Sequence, residues 1–260
     1  MELLTLIAFF ACTDGGQTGC SLALVSKRIH AASRPARFYS VALFGSPEKI
    51  EQFLNCYQKK RANATEGIPR VRHLCLSLFG TGLDTTGSSG APPPPSAPGP
   101  SGGVPGPGSL STGMPQSRAE FLTTMQRRTQ HWRTTQDNLD DHYSRVVPTL
   151  IRMVAADVQT IALVQAQWRS QTVVRCYFPC LRELTVVGGD PSFLPFAFLP
   201  SSRPIYPALK RLHHILAFVG KDVDMLQWAN HAPNITHLRM SRLDYHPQIT
   251  VDSLNEVISE

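Results

Sequence analysis

One short pattern recurs along the chain and constrains its fold more than any other feature. The pattern reads Pro-x-Leu-x-x-Leu-x-apolar, and its clearest copies are residues 179–186 and 233–240. Residues 69–76 and 207–214 fit it as well, although the latter copy ends on His214 where an aliphatic residue is expected. A further copy, residues 158–163, lacks the proline. A proline at the same position of four copies favours a repeated structural unit.

The spacing of the copies is typical of leucine-rich repeats. The first apolar positions of the last four copies are 158, 181, 209 and 235, so the steps are 23, 28 and 26 residues, within the roughly 20 to 29 expected of such repeats. In each copy the last two apolar side chains lie on one face of a short strand, and the proline stands at its entrance. Residues 221–231 have the apolar spacing of a return helix. The pattern predicts an α/β solenoid, and unrelated Leu-rich strands in an ordinary α/β domain are the alternative.

Composition narrows the classes of function. The 260 residues carry a net charge of +6, which permits acidic partners but lacks the concentrated basic stripe of a nucleic-acid-binding protein. The six cysteines show no paired metal-site spacing and are interpreted as reduced thiols. We therefore expect an intracellular protein, cytoplasmic or nuclear, that does not bind nucleic acid.

The first residues of the chain are apolar but do not predict a membrane segment. Residues 1–12 contain Glu2 and neither lysine nor arginine, unlike the start of a signal peptide, and the run is too short to span a bilayer. A first helix is expected there, a second over residues 20–33, and a strand over residues 38–43. Residues 13–19 are glycine-rich but lack the lysine of a phosphate-binding loop, so a connector is predicted.

Residues 1–45 resemble the F-box, a helical module at the start of substrate receptors of cullin-RING ubiquitin ligases. The resemblance rests on Glu2-Leu3-Leu4 with Ile7, on Leu22-x-x-Val25-Ser26-Lys27, and on Phe38-x-Ser40-Val41-x-Leu43. The Leu-Pro that precedes the first helix of the family is absent, and Ile29 replaces its usual tryptophan. The resemblance implies that the residues binding the ligase adaptor are Leu3, Leu4, Ile7, Leu22, Val25, Ser26 and Ile29.

The whole arrangement resembles fungal F-box-like proteins with a degenerate leucine-rich-repeat tail. This resemblance implies the substrate-recognition subunit of a ubiquitin ligase, which binds the adaptor and cullin through residues 1–45 and a target protein through its repeats. A repeat scaffold with a vestigial F-box and no ligase role is the alternative.

The remaining sequence divides into three stretches. Residues 46–79 are expected to form a linker helix, capped at Ser46, and the first repeat strand. Residues 80–115 are dominated by Gly, Pro, Ser and Thr and are predicted to be a disordered insertion. Residues 116–260 are predicted to be repeat-like and incomplete at the C-terminus, with a new helix starting at Pro148. Within them, residues 188–204 form an apolar loop that either packs on the solenoid or lines a ligand pocket.

The repeat strands predict a recognition surface but no catalytic centre. Side chains alternate along a strand, so polar residues of neighbouring copies should line one face. Toward the C-terminus this face is basic and would suit an acidic or phosphorylated peptide; a solvated surface without a ligand is the alternative. The predicted target-binding residues are His73, Arg211, His213, His237 and Arg239. Two titratable clusters, 140–142 and 213–214, match no catalytic or metal-site spacing, so no enzyme activity, metal or cofactor is expected.

Overall fold

Six short parallel strands form the centre of the fold in the part of the chain that the computed structural model describes. They pair in the order β1-β2-β3-β4-β5-β6, so each strand lies beside the next one in sequence. The α/β fold class is therefore confirmed. The strands are β1 (Ser40–Leu43), β2 (His73–Ser77), β3 (Thr160–Gln165), β4 (Glu183–Gly188), β5 (Arg211–Ile215) and β6 (His237–Ser241).

The structure describes residues 2–63, 68–78, 118–165, 176–188, 195, 203–216, 223–241 and 247–259. They belong to two compact units, one of residues 1–80 and 139–260 and the other of residues 81–138. The expected disordered insertion at 80–115 and most of the apolar loop at 188–204 lie outside the described residues. The return helix predicted over residues 221–231 begins only at Met225, because Asp224 caps it by accepting a hydrogen bond from the backbone N–H of Gln227; residues 221–222 lie outside the described residues.

The strands place the recurring pattern in register. Leu74, Ile161, Leu184 and Leu212 are aligned on neighbouring strands, and each is at most 2% exposed. On each of these strands, the residues directly before and after the aligned residue are only part-buried or exposed. This alternation is the one that the pattern predicts, with one face of the sheet in the core and the other open.

The described residues form seven helices, and the last four of them contribute side chains to the core on one face of the sheet. They are α1 (Glu2–Ala11), α2 (Gln17–Val25), α3 (Lys27–Ser33), α4 (Pro47–Ala62), α5 (Arg118–Val154), α6 (Met225–His231) and α7 (Pro247–Ser259). On α4, Ile50 and Leu54 are buried in the core and Phe53 packs against it, as the sequence predicts. None of the described helices has the length and apolarity needed to cross a bilayer.

The prediction of one helix over residues 20–33 is wrong, because the chain turns at Ser26. Ser26 has extended dihedral angles (φ −162°, ψ 159°) and its hydroxyl accepts a hydrogen bond from the backbone N–H of Ile29 at 3.2 Å. A serine in this conformation is a helix N-cap. The segment therefore forms two short helices, and the expected single apolar face is divided between them.

The prediction of a new helix at Pro148 is also wrong, because α5 continues through this residue. A proline inside a helix costs about 3 kcal/mol or more. Val147, Leu150 and Ile151, on both sides of it, are fully buried in the core. Burial of such side chains contributes about 1.5–3 kcal/mol each, which outweighs the cost of the proline.

The connector between α1 and α2 lies against the first strand. The backbone N–H of Ala42 donates to the carbonyl oxygen of Gly15 at 3.2 Å. The hydroxyl of Ser40 donates to the carbonyl oxygen of Thr13 at 3.3 Å. Gly15 has a φ of +77°, and a Cβ added to it would lie 2.6 Å from the Cβ of Ala42. A glycine is therefore required here both by the backbone conformation and by the close approach to β1.

We expect Gly15→Ala to lower the free energy of unfolding more than Gly16→Ala. Both glycines have positive φ, so both alanines cost about 1–2 kcal/mol of backbone strain. Only the Cβ at Gly15 would meet a side chain, since the one at Gly16 has nothing nearer than 3.7 Å. Urea unfolding of the two variants measures the difference, and equal losses would mean that the connector does not pack on β1.

Candidate functional site

The open face of the sheet carries two rows of aligned side chains. Every residue predicted to bind a target belongs to one of these two rows, because the strand register aligns it with residues of the neighbouring strands. The first row is His73, Thr160, Glu183, Arg211 and His237; the second is Cys75, Ala162, Thr185, His213 and Arg239. Neighbouring strands are about 4.8 Å apart, so Arg211, His213, His237 and Arg239 lie together, as predicted.

This cluster carries less positive charge than the sequence predicts. The guanidinium of Arg211 forms an ion pair with the carboxylate of Glu183, with 2.6 Å between Nη1 and Oε1. Burial, and then the charge of Arg239, lower the pKa of His213 below its usual value. His213 is therefore uncharged at neutral pH, and its Nε2 lies 3.0 Å from the hydroxyl of Ser241. Among the described residues, Arg239 has no ion-pair partner, so it supplies the uncompensated charge.

His73 lies apart from the other predicted target-binding residues. It is on β2, three strands from β5, which corresponds to about 14 Å. Its ring packs edge-to-face on Tyr39 with 5.1 Å between the ring centroids. Burial lowers the pKa of His73, and the nearby Arg72 adds to this effect while Glu183 opposes it. His73 is thus part of the packing beside β1, and the structure does not bring it into the basic cluster.

A second surface is an apolar stripe on α1. Its residues, spaced i, i+3, i+4 and i+7 along one face of the helix, are Leu3, Leu6, Ile7 and Phe10, which are 71%, 53%, 52% and 75% exposed. On the opposite face of the helix Ala8 is buried, in one cluster with Ala36 and with Cys12, which follows the helix. The sequence prediction included Leu3 and Ile7 but missed Leu6 and Phe10, although their helical spacing was a usable signal.

The other residues predicted to bind the adaptor are either exposed or part-buried. Val25 is 63% exposed, and Ser26 is exposed as the cap of α3. Leu4 and Ile29 are part-buried. Leu22 is also part-buried and packs against the cluster of Ala8, Cys12 and Ala36, so part of its side chain is occupied by internal contacts. Of the predicted residues, Val25 and Ser26 are therefore as accessible to a partner as the α1 stripe.

The titratable cluster at residues 140–142 makes contacts between helices. The two ring nitrogens of His142 on α5 lie 3.4 Å and 3.5 Å from carboxylate oxygens of Glu48 and Glu51 on α4. Each carboxylate lies at a different nitrogen of the ring, so these contacts join α4 to α5. Among the residues that the structure describes, no group of three or more acidic, histidine or cysteine side chains is arranged to hold a metal.

Comparisons of the chain with protein-family models, with curated proteins and with solved structures give no match in any of the three.

Proposed function

We propose that this chain is a substrate-recognition subunit of a cullin-RING ubiquitin ligase. In this proposal the α1 stripe and Val25 bind the ligase adaptor, and the strands form a leucine-rich-repeat-like solenoid whose open face binds the target. The observation that carries the proposal is the exposed apolar stripe on α1, which lies in the segment that resembles the F-box.

The stripe supports adaptor binding because it is costly to leave in water. Burial of one large aliphatic or aromatic side chain is worth about 1.5–3 kcal/mol. Leu3, Leu6, Ile7 and Phe10 lie side by side, and each is more than half exposed. Contiguous apolar patches of this kind on a folded protein mark interaction sites. A groove on a partner that accepts one apolar helix face would bury the stripe.

The solenoid half of the proposal is supported by a contact that recurs at every step of the sheet. The residue immediately before each of the first five strands accepts two hydrogen bonds at its carbonyl oxygen. The donors are the N–H groups of two consecutive residues at the entrance of the next strand. The acceptors are Tyr39, Arg72, Gln159, Arg182 and Lys210, and all ten distances are between 2.7 and 3.1 Å. A repeated contact between successive strand entrances is expected of stacked structural repeats.

A repeat scaffold without a ligase role is the second candidate. It is favoured by the packing of the α1–α2 connector on β1, where Gly15 accepts a hydrogen bond from Ala42. Such packing covers the edge of the first strand, as a terminal cap of a repeat protein does. Capping accounts for the buried face of α1 but leaves its exposed stripe without a role.

The two candidates differ in the effect of Ile7→Asp. A charge in the middle of the stripe should reduce capture of the adaptor and cullin by at least about tenfold, because burial of the isoleucine is lost and a carboxylate must be desolvated. The measurement is co-purification of both subunits with the tagged full-length chain.

Ile258→Asp is the matched control, since Ile258 on α7 is 73% exposed and far from α1 in sequence. Both variants should keep the thermal stability of the parent chain, because neither side chain is in the core. Unchanged capture by Ile7→Asp, or an equal loss with Ile258→Asp, would argue against the stripe and for the scaffold.

A further inference from the structure

The outer edge of β6 has free backbone groups in the described part of the chain. His237 donates its N–H to the carbonyl of Lys210 at 3.0 Å, and Ser241 accepts from the N–H of Leu216 at 3.1 Å. The odd-numbered residues of β6 therefore bond to β5. Since these groups alternate between the two sides of a parallel strand, Leu238 and Met240 direct their N–H and C=O groups away from β5. No described strand pairs with them there.

The core is also open at this edge. Leu238 occupies the position of Leu212 on the preceding strand. Leu212 is 2% exposed, whereas Leu238 and its neighbour Met240 are only part-buried. A cavity of about 400 Å³ lies between α6, α7 and β6, and its apolar lining includes Met225, Trp228, Ile235, Leu238, Leu254 and Val257. The apolar side chains on the core face of the sheet thus continue to β6, where they are not fully covered.

The other face of the same edge is positively charged. His237 and Arg239 are exposed on it, and Arg239 has no ion-pair partner among the described residues. The nearest acidic residue in the aligned strands, Glu183, is already paired with Arg211. One strand edge therefore combines free hydrogen-bonding groups, an apolar cavity on one face and a positive charge on the other.

We infer that the outer edge of β6 binds an extended segment of a target protein as an additional strand, and that this segment alternates apolar and acidic side chains. Main-chain hydrogen bonds to Leu238 and Met240 would give affinity, as in other cases of strand addition. Because side chains alternate along a strand, the apolar ones would enter the cavity while the acidic ones face Arg239 and His237.

Charge complementarity decides between this partner and a second copy of the chain. Antiparallel pairing of two β6 strands would bring Arg239 of one copy close to Arg239 of the other. Parallel pairing would turn the open face of one copy to the core side of the other, so Arg239 would lie beside apolar side chains. Like charges on neighbouring strands are destabilising, and charged side chains on edge strands oppose such pairing. The inference deepens the target-binding half of the proposed function and does not need the adaptor.

The test uses synthetic peptides and the full-length chain. A short peptide of alternating glutamate and valine should give a saturable change in the fluorescence of Trp228, which lines the cavity and is 3% exposed. A matched peptide of lysine and valine should bind at least tenfold more weakly, and Arg239→Glu should reverse this preference. Absence of saturable binding, or equal affinity for both peptides, would overturn the inference.

Met240→Pro tests the backbone contribution. It removes an N–H that points away from β5, together with the part-buried methionine side chain that packs against the core, and proline is tolerated at such positions of edge strands. Binding of the glutamate–valine peptide should fall at least tenfold while the circular dichroism spectrum is unchanged. If the variant unfolds, the same peptide with N-methylated backbone provides the test on the unaltered protein.

Two controls separate the alternatives. A dimer of the parent chain in sedimentation equilibrium that Met240→Pro dissociates would assign the edge to a second copy and overturn the inference. Capture of the adaptor should be the same for the parent chain and Met240→Pro, so a failure at this edge is distinguishable from a failure of the α1 stripe.

Discussion

Leu184→Ala should lower the free energy of unfolding by about 2–5 kcal/mol. Leu184 is on β4, has paired strands on both sides and is 1% exposed. Its side chain is aligned with Ile161 and Leu212 in the central row of the core. Truncation removes buried apolar surface and leaves a cavity that the flanking strands cannot close without breaking their register. The measurement is urea unfolding followed by circular dichroism.

Thr185→Ala is the matched control, because Thr185 is the next residue on the same strand and lies on the open face. Its side chain is only part-buried, so we expect a change within about 0.5 kcal/mol. Comparable losses from both variants would contradict the assignment of the two faces of the sheet.

His214 should make the protein less stable as the pH falls from about 6.5 to about 4. It is aligned with Val186 and Met240 on the core face of the sheet and is 3% exposed. Burial, and to a lesser extent the neighbouring His213, lower the pKa of His214 from 6.5 to about 4. Between these values the unfolded chain binds a proton that the folded chain does not, so acid favours unfolding. The difference corresponds to a loss on the order of 3 kcal/mol, complete below about pH 4.

His214→Leu should remove this component of the pH dependence and raise stability at neutral pH. The Nδ1 of His214 in the parent chain is buried without a hydrogen-bond partner among the described residues. An unsatisfied buried group costs about 1–3 kcal/mol. Unfolding curves of parent and variant at several pH values give the difference directly. His213→Leu should change the slope less, because its ring is only part-buried. A parent chain as stable at pH 4 as at pH 7, or a variant with the parent's slope, would show that His214 is not buried in its neutral form.

The recurring pattern predicted five of the strands and their open faces because it is local. Two apolar residues separated by one position fix the face of a short strand, and the proline fixes where the strand begins. Glu183 and Arg211 stand at the same position of successive copies, so their ion pair could have been predicted from the alignment of the copies. His214 was already visible as a departure from the pattern, and its burial shows that the pattern persists through it.

The features that sequence reasoning missed depend on contacts between distant residues. Strand β1 was predicted from alternation, but its pairing with β2 was not, because β1 carries no copy of the pattern. Leu22 was predicted to bind a partner, and its partial burial depends on the packing of Ala8 on α1 and of Cys12 just after it. The continuity of α5 through Pro148 depends likewise on packing, which outweighs the local preference of proline to begin a helix.

The central claim, that the α1 stripe binds a ligase adaptor, is tested most directly with purified components. The full-length chain should form a stoichiometric complex with the adaptor–cullin subcomplex in size-exclusion chromatography. Titration should give an affinity that weakens by at least about tenfold in Phe10→Asp, since Phe10 is the most exposed residue of the stripe. Separate elution of the folded parent chain and the subcomplex would contradict the claim, as would equal affinities for the parent chain and Phe10→Asp.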